Sequence, residues 1–174
     1  MDAMTAHRQL IVMRHAKAGE LPGGPDVERA LRPRGRRNST AAGQWLAARD
    51  LVPDLVLCSH ARRARQTWQY VSEELAGEPE VVNDPRLYQA DAGDLLAIFA
   101  ETRPGVRSLM YVGHNPAAAD VTEILTGSPV DFPTAAIAII GLDADWMSLS
   151  GDPSGAGQLV DSWHPERREE ADAG

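Results

Sequence analysis

Apolar residues recur along the chain in short runs that alternate with stretches of helical periodicity. The runs at residues 9–13, 55–58 and 108–112 are short and rich in apolar side chains, which predicts buried strands. Between them, apolar residues return every three or four positions, as over residues 64–75, which predicts amphipathic helices. This order is typical of an α/β domain whose central sheet is mostly parallel.

The remaining pattern completes this architecture. Further helices are predicted at residues 33–49 and 93–103 and after residue 116, further strands at 80–82 and 136–142, and a final hairpin from 146–149 and 158–163. We therefore predict a three-layer α/β sandwich. It forms one domain over residues 1–165, followed by a disordered tail at 166–174.

Composition and charge exclude several classes of protein. No apolar run approaches the ~20 residues needed to span a bilayer, and the N-terminus lacks a secretory signal pattern. The formal net charge of −8 argues against non-specific binding to nucleic acid. Cys58 is the only cysteine, so no intramolecular disulfide can form. We expect a cytoplasmic protein that binds neither membranes nor nucleic acid.

Polar residues follow three of the predicted strands at the point where each strand ends. These are Arg14-His15, Ser59-His60 and Gly113-His114, and arginines cluster at residues 29–37 and 62–65. Ligands of open α/β sheets bind outside the carboxyl ends of the strands. A local basic site within an acidic protein is suited to an anion. The pattern therefore predicts an anion-binding site at one edge of the sheet.

Each of these motifs is weak evidence when it stands alone, but their order is specific. The segments VMRHAKAG, LRPRGRRNSTAAGQWL, LCSHARRARQT and VGHNP together resemble the histidine phosphatase superfamily, in particular its small phosphohistidine phosphatase branch, the SixA type. The resemblance covers roughly residues 8–142. It implies a phosphoglycerate mutase-like fold and a phosphatase that needs no metal and no other cofactor.

The resemblance also assigns roles to individual residues. It implies that His15 is the phosphorylated nucleophile and that Arg14, Arg63 and His114 take part in catalysis by binding the phosphoryl group. Ser59, four positions before Arg63, fixes the register of that arginine. The family usually has proline at the position of His60, and the neighbouring Arg62 and Arg65 are then expected at the surface.

The chemistry explains these residue types. A neutral imidazole nitrogen attacks phosphorus, and the covalent intermediate divides the hydrolysis into two steps. The charges of Arg14 and Arg63 are expected to lower the pKa of His15, which keeps it neutral. Guanidinium groups also match the geometry of phosphoryl oxygens.

The general acid is the least defined part of the site. Asp91 is the first candidate and Asp94 the second, while the alternative interpretation of Asp91 is a helix N-cap. Alternatively, Tyr88 occupies the position at which larger relatives have an acidic residue. A site without a strong acid favours a phosphohistidine substrate, because imidazole, with a pKa of about 6.5, can leave protonated near neutral pH.

We therefore expect a phosphohydrolase that acts on phosphohistidine in a protein, such as a histidine phosphotransfer protein. Two alternatives stay open: a phosphatase for small phosphate esters or nucleotide polyphosphates, and a non-catalytic anion-binding module. The segments 19–26, 86–94 and 126–133 offer few residues for a lid. The sequence accordingly predicts an open, shallow cleft.

Overall fold

The computed structural model describes residues 7–166, in which six strands and four α-helices alternate. The strands are β1 (Arg8–Arg14), β2 (Leu55–Ser59), β3 (Glu80–Asp84), β4 (Ser108–Gly113), β5 (Ile137–Leu142) and β6 (Gly157–Trp163). The helices are α1 (Pro33–Ala47), α2 (Arg62–Ser72), α3 (Ala92–Ala100) and α4 (Ala117–Thr126). The tail predicted to be disordered, residues 166–174, lies almost entirely outside the described range.

All six strands form one sheet in the order β3-β2-β4-β1-β5-β6. The pairs β2–β3, β2–β4 and β1–β4 are parallel, whereas β1–β5 and β5–β6 are antiparallel. The predicted α/β fold with a mostly parallel central sheet is therefore confirmed.

Helices cover both faces of the sheet, which makes the fold the predicted three-layer sandwich. Leu10 and Val12 of β1 belong to the apolar cluster that includes α3 and α4. The alternate residues Ile11 and Met13 belong to the cluster that includes α1 and α2. Strands buried on both faces are apolar along their whole length, which explains the continuous apolar runs in the sequence.

The predicted C-terminal hairpin is wrong in its first strand. Residues Trp146–Ser150 form a 3₁₀ helix, and β6 pairs with β5 instead. Trp146 and Leu149 are both buried, and the Trp146 indole N–H donates to the carbonyl of Val106 at 2.7 Å. Residues three apart lie on one side of a 3₁₀ helix but on opposite sides of a strand. Burial of both side chains therefore favours the helical turn.

Two helices on one face approach each other closely at a glycine. A Cβ atom added to Gly43 of α1 would lie 2.6 Å from the carbonyl oxygen of Val71 in α2. Only a residue without a side chain fits at this contact. The contact joins α1 to α2, and α2 contains Arg63, one of the predicted site residues.

The carboxyl ends of β1, β2 and β4 lie side by side. Arg14 at the end of β1 is opposite Gly113 of β4, and Cys58 of β2 is opposite Val112. The residues that follow these strands therefore meet at one edge of the sheet, as the sequence predicts.

Candidate active site

His15 lies directly after β1 and is held by its backbone and by its ring. Its N–H donates to the carbonyl of Gly113 at 2.8 Å, and its Nδ1 lies 2.8 Å from the carbonyl oxygen of Ala16. A carbonyl oxygen can only accept a hydrogen bond, so Nδ1 carries the proton. The lone pair of the neutral ring is consequently on Nε2. Nε2 is therefore the nitrogen available for nucleophilic attack.

The surroundings of His15 keep the imidazole neutral. The residue is only 8% exposed, and burial is the main cause that lowers its pKa to about 3. The hydrogen bond to Ala16 acts in the opposite direction, while the charges of His114, Arg63 and Arg14 lower the pKa further. The direction agrees with the sequence-based prediction, although burial contributes more than the arginines. His15 is therefore unprotonated across the physiological pH range.

Arg14 and Arg63 place two guanidinium groups beside His15. Arg63, in the first turn of α2, is 6% exposed, and its Nη1 donates to the backbone carbonyl of Asp26 at 2.9 Å. Arg14 donates from Nη1 to the carbonyl of Phe132 at 2.9 Å. Within residues 7–166, the buried Nε atoms of both arginines have no hydrogen-bond acceptor. Buried donors usually have an acceptor, so these two N–H groups suit an anion bound in the cleft.

His114 follows β4 and completes the set of four residues predicted from the sequence. Its ring centre is 5.2 Å from that of His15, and its Nε2 lies 2.8 Å from the hydroxyl oxygen of Ser59. The N–H of Ala61 donates to the same oxygen at 3.2 Å, which leaves the Ser59 hydroxyl free to donate to His114. When this hydroxyl donates to Nε2, the proton of neutral His114 lies on Nδ1. Burial, assisted by the charge of Arg63, lowers the pKa of His114 to about 4.

Asp26 is a cleft residue that sequence reasoning missed. Its side chain is 53% exposed, and its carboxylate accepts hydrogen bonds from Arg29 at 2.8 Å and Arg63 at 3.1 Å. The hydroxyl of Tyr88 donates to it as well. The Tyr88 hydrogen bond, followed by those from the arginines, holds the pKa of Asp26 well below its usual range. The sequence does contain one indication of this ion pair, since Arg29 follows Asp26 by three positions.

These residues line an open cleft at the carboxyl edge of the sheet, with a volume of about 400 Å³. The lining residues are Arg14, His15, Asp26, Arg29, Arg63, Tyr88, Gln89, His114 and Asn115. A larger cavity of about 610 Å³ lies at the opposite edge, around the start of β1, and contains none of the four predicted residues. The four predicted site residues therefore all line the smaller, more polar cleft.

The structure does not bring Asp91, the first candidate for the general acid, into this cleft. Asp91 is the N-cap of α3, and its carboxylate accepts the N–H of Asp94 at 2.8 Å. The Asp94 carboxylate accepts the N–H of Asp91 in return at 3.1 Å, forming a capping box. Asp91 lines a separate depression with Asp120 and Glu123. The N-cap interpretation of Asp91 accounts for its position.

The segment after Ser59 keeps the predicted register despite its unusual histidine. Arg63 is buried at the cleft, whereas Arg62 and Arg65 are exposed. The ring of His60 packs edge-on against Tyr88 with 5.3 Å between ring centres, and its carbonyl accepts a hydrogen bond from Arg65 at 2.9 Å. Histidine at this position is therefore accommodated without displacing Arg63.

Over residues 7–166, the structure contains no group of three or more histidine, cysteine, aspartate or glutamate side chains that could hold a metal ion. In the same range, no helix combines the length and apolar character that crossing a bilayer requires.

Comparison with known proteins identifies the family. The profile of the histidine phosphatase superfamily (branch 1) matches residues 10–114. An uncharacterized protein of Mycobacterium tuberculosis is 34% identical over 148 residues, covering 79% of this chain and 91% of its own length. The phosphohistidine phosphatase SixA of Escherichia coli is 31% identical over 141 residues, covering 78% of this chain and 86% of its own.

Solved structures agree with this result. The protein histidine phosphatase SixA complexed with tungstate superimposes with a TM-score of 0.75 and 29% identity, covering 90% of this chain and 96% of its own. A mycobacterial glucosyl-3-phosphoglycerate phosphatase shares the fold, with a TM-score of 0.62 at 18% identity, covering 92% of this chain and all of its own. We conclude that the chain is a phosphatase belonging to the histidine phosphatase superfamily, branch 1.

Proposed function

We propose that this phosphatase removes the phosphoryl group from phosphohistidine in a protein and that the group passes through a covalent intermediate on His15. The proposal rests on a neutral, buried imidazole with its lone pair on Nε2, beside two guanidinium groups. Arg14, Arg63 and His114 would bind the phosphoryl oxygens. Binding alone would not require a nucleophilic histidine among these donors.

In the first step, Nε2 of His15 attacks phosphorus, and the bond between phosphorus and the substrate nitrogen breaks. The substrate imidazole leaves as a neutral ring because its other nitrogen carries a proton. In the second step, water attacks phosphorus and the bond to His15 breaks. The proton that the water loses passes to a phosphoryl oxygen, so inorganic phosphate is released and His15 is again the neutral imidazole with its proton on Nδ1. Arg14 and Arg63 stabilise the charge on the phosphoryl oxygens in both steps.

The hydrogen bonds that Asp26 accepts from Tyr88, Arg29 and Arg63 carry the choice of substrate. Asp26 is the carboxylate among the lining residues, and its depressed pKa keeps it ionised. His114 is neutral at physiological pH, since its pKa is about 4. Neither group is a proton donor for an alkoxide, which an ordinary phosphate ester would release, and the Tyr88 hydroxyl in the same cleft donates its proton to Asp26. An imidazole leaving group does not need such a donor.

The open form of the cleft agrees with a protein substrate. A histidine displayed on the surface of a partner can enter a cleft that is not closed by a lid. Two relatives of similar sequence or fold are named as phosphohistidine phosphatase SixA and protein histidine phosphatase SixA. We further propose a cytoplasmic location, on the basis of the sequence features described above.

A matched pair of peptides tests this proposal. The two have the same sequence and carry either phosphohistidine or phosphoserine at one position. Because general acid catalysis contributes about 10²–10⁴ in rate, we expect kcat/KM to be at least about a hundredfold higher for phosphohistidine. p-Nitrophenyl phosphate, an ester with a good leaving group, should fall between the two. Equal rates for both peptides would contradict the proposal and favour the alternative of phosphate ester substrates.

A further inference from the structure

The charges of this acidic protein are distributed unevenly along the chain. Residues 14–37 and 62–65 contain ten of the 17 lysines and arginines and three of the 25 acidic residues. These two segments carry a formal net charge of +7. The remaining seven basic and twenty-two acidic residues give −15. The asymmetry is large enough to produce a strong local field.

Hydrogen bonds connect the two basic segments beside the cleft. They leave the carboxyl ends of β1 and β2. The N–H of Leu31 donates to the side chain of Gln66 in α2 at 2.8 Å, and the N–H of Arg32 donates to the carbonyl of Lys17 at 2.9 Å. These bonds join the segment before α1 to the second residue after the nucleophile and to α2.

We call five basic side chains of these two segments the basic rim. It consists of Lys17, Arg32, Arg36, Arg62 and Arg65, all of them partly or fully exposed. None of the five lines the cleft itself. Contact with the phosphoryl group falls to Arg14 and Arg63, so the rim is available for a neighbouring part of the substrate.

The other side of the cleft has the opposite charge. Asp91 and Asp94 cap α3, and Asp120 and Glu123 lie on α4 next to them. The sign of the surface charge therefore changes across the cleft. A ligand with a uniform negative charge, such as a nucleic acid strand, would be attracted by one side and repelled by the other.

We propose that the basic rim docks an acidic patch that lies on one side of the phosphohistidine in the partner protein. This inference rests on the proposed protein substrate and adds the chemistry and the orientation of the partner. The acidic residues across the cleft disfavour the reversed orientation, in which the acidic patch would face Asp91 and Asp120. Complementary charge of this kind increases association rates and specificity, and salt weakens it.

Peptides of matched length test the docking surface. Each carries one phosphohistidine, flanked on one side by four glutamates or by four glutamines. With the wild-type enzyme at low salt, we expect kcat/KM to be about tenfold higher for the glutamate peptide. The ratio should approach one at about 1 M salt, where the Debye length is about 3 Å.

Paired variants assign the effect to the rim. Arg62→Gln combined with Arg65→Gln should remove most of the preference for glutamate and leave the rate on the glutamine peptide unchanged. The control combines Arg103→Gln with Arg107→Gln, two exposed residues that precede β4 at the opposite edge of the sheet. It changes the net charge equally and should keep the preference. An equal loss in both double variants, or no preference in the wild type, would overturn the docking proposal.

Binding assays separate this proposal from the proposed function. A stable phosphoryltriazole analogue replaces phosphohistidine in both peptides, so affinity is measured without turnover. Tighter binding of the glutamate analogue with no turnover of either phosphohistidine peptide would support the rim and refute the proposed function. Turnover of the glutamate and glutamine peptides at equal rates would support the proposed function and overturn the docking proposal. A DNA oligonucleotide is also tested as a competitor of the glutamate analogue, with both concentrations expressed per negative charge. If the oligonucleotide binds more tightly than the analogue on this scale, the choice of a protein partner is overturned.

Discussion

The change His15→Asn removes a buried imidazole that the folded protein keeps neutral. Burial lowers the pKa of His15 to about 3 from the ordinary value of 6.5 that applies to the unfolded chain. Between these two values the unfolded chain binds a proton that the folded protein does not bind. The contribution of neutral His15 to the unfolding free energy therefore decreases as the pH falls below 6.5, and this decrease is complete near pH 3.

The size of the effect follows from linkage. One proton bound only by the unfolded state costs about 1.4 kcal/mol for each unit of pH. From pH 6.5 down to about pH 4, this amounts to about 3 kcal/mol of unfolding free energy for His15. The asparagine variant lacks this dependence, while the contributions of His114 and the carboxylates are present in both proteins and cancel in the comparison.

Urea denaturation at pH 7 and at pH 4 measures this difference. We expect the unfolding free energy of the wild type to fall by about 3 kcal/mol more than that of His15→Asn between the two pH values. His164→Asn, which removes an exposed imidazole, is the matched control and should behave like the wild type. Equal pH dependence in the wild type and His15→Asn would refute the claim that folding excludes the proton from His15.

Three other predictions concern catalysis, packing and metals. Arg63→Ala should lower kcat by about 10²–10³ in a steady-state assay, because it removes donors from the phosphoryl site; an unchanged kcat would remove Arg63 from the mechanism. Gly43→Ala should lower the unfolding free energy in urea by about 1–3 kcal/mol, since the added methyl group meets the Val71 carbonyl at 2.6 Å. A stabilised variant would mean that helix propensity outweighs this contact. Activity should survive dialysis against EDTA, and a loss restored by Mg²⁺ would contradict charge stabilisation by arginine alone.

Much of the fold could be predicted because β1, β2 and β4 are buried on both faces. Double burial produces uninterrupted apolar runs that stand out in a sequence. The position of His15, Arg14, Arg63 and His114 in one cleft follows from the same pattern, since parallel strands end at the same edge. The 3₁₀ helix at Trp146 was missed because a short apolar segment allows either a strand or a helical turn.

The contacts of Asp26 could not be predicted in the same way. Asp26 follows a segment rich in glycine and proline and begins a 3₁₀ helix of only three residues, where neither helical nor strand periodicity in the sequence fixes the direction of a side chain. Its partners Arg63 and Tyr88 are 37 and 62 positions away in the chain. Asp91 shows the converse, since its sequence position suited both a catalytic acid and a helix cap. The hydrogen bonds to Asp94 favour the helix cap.

The covalent intermediate is the central claim of this account, and trapping it is the most direct test. The enzyme is mixed with a phosphohistidine peptide labelled with ³²P and quenched with base within milliseconds, before peptide mapping. We predict that the label is found on His15, stable to base and released by acid, and that His15→Asn carries none. Label on another residue, or full turnover by His15→Asn, would contradict the mechanism.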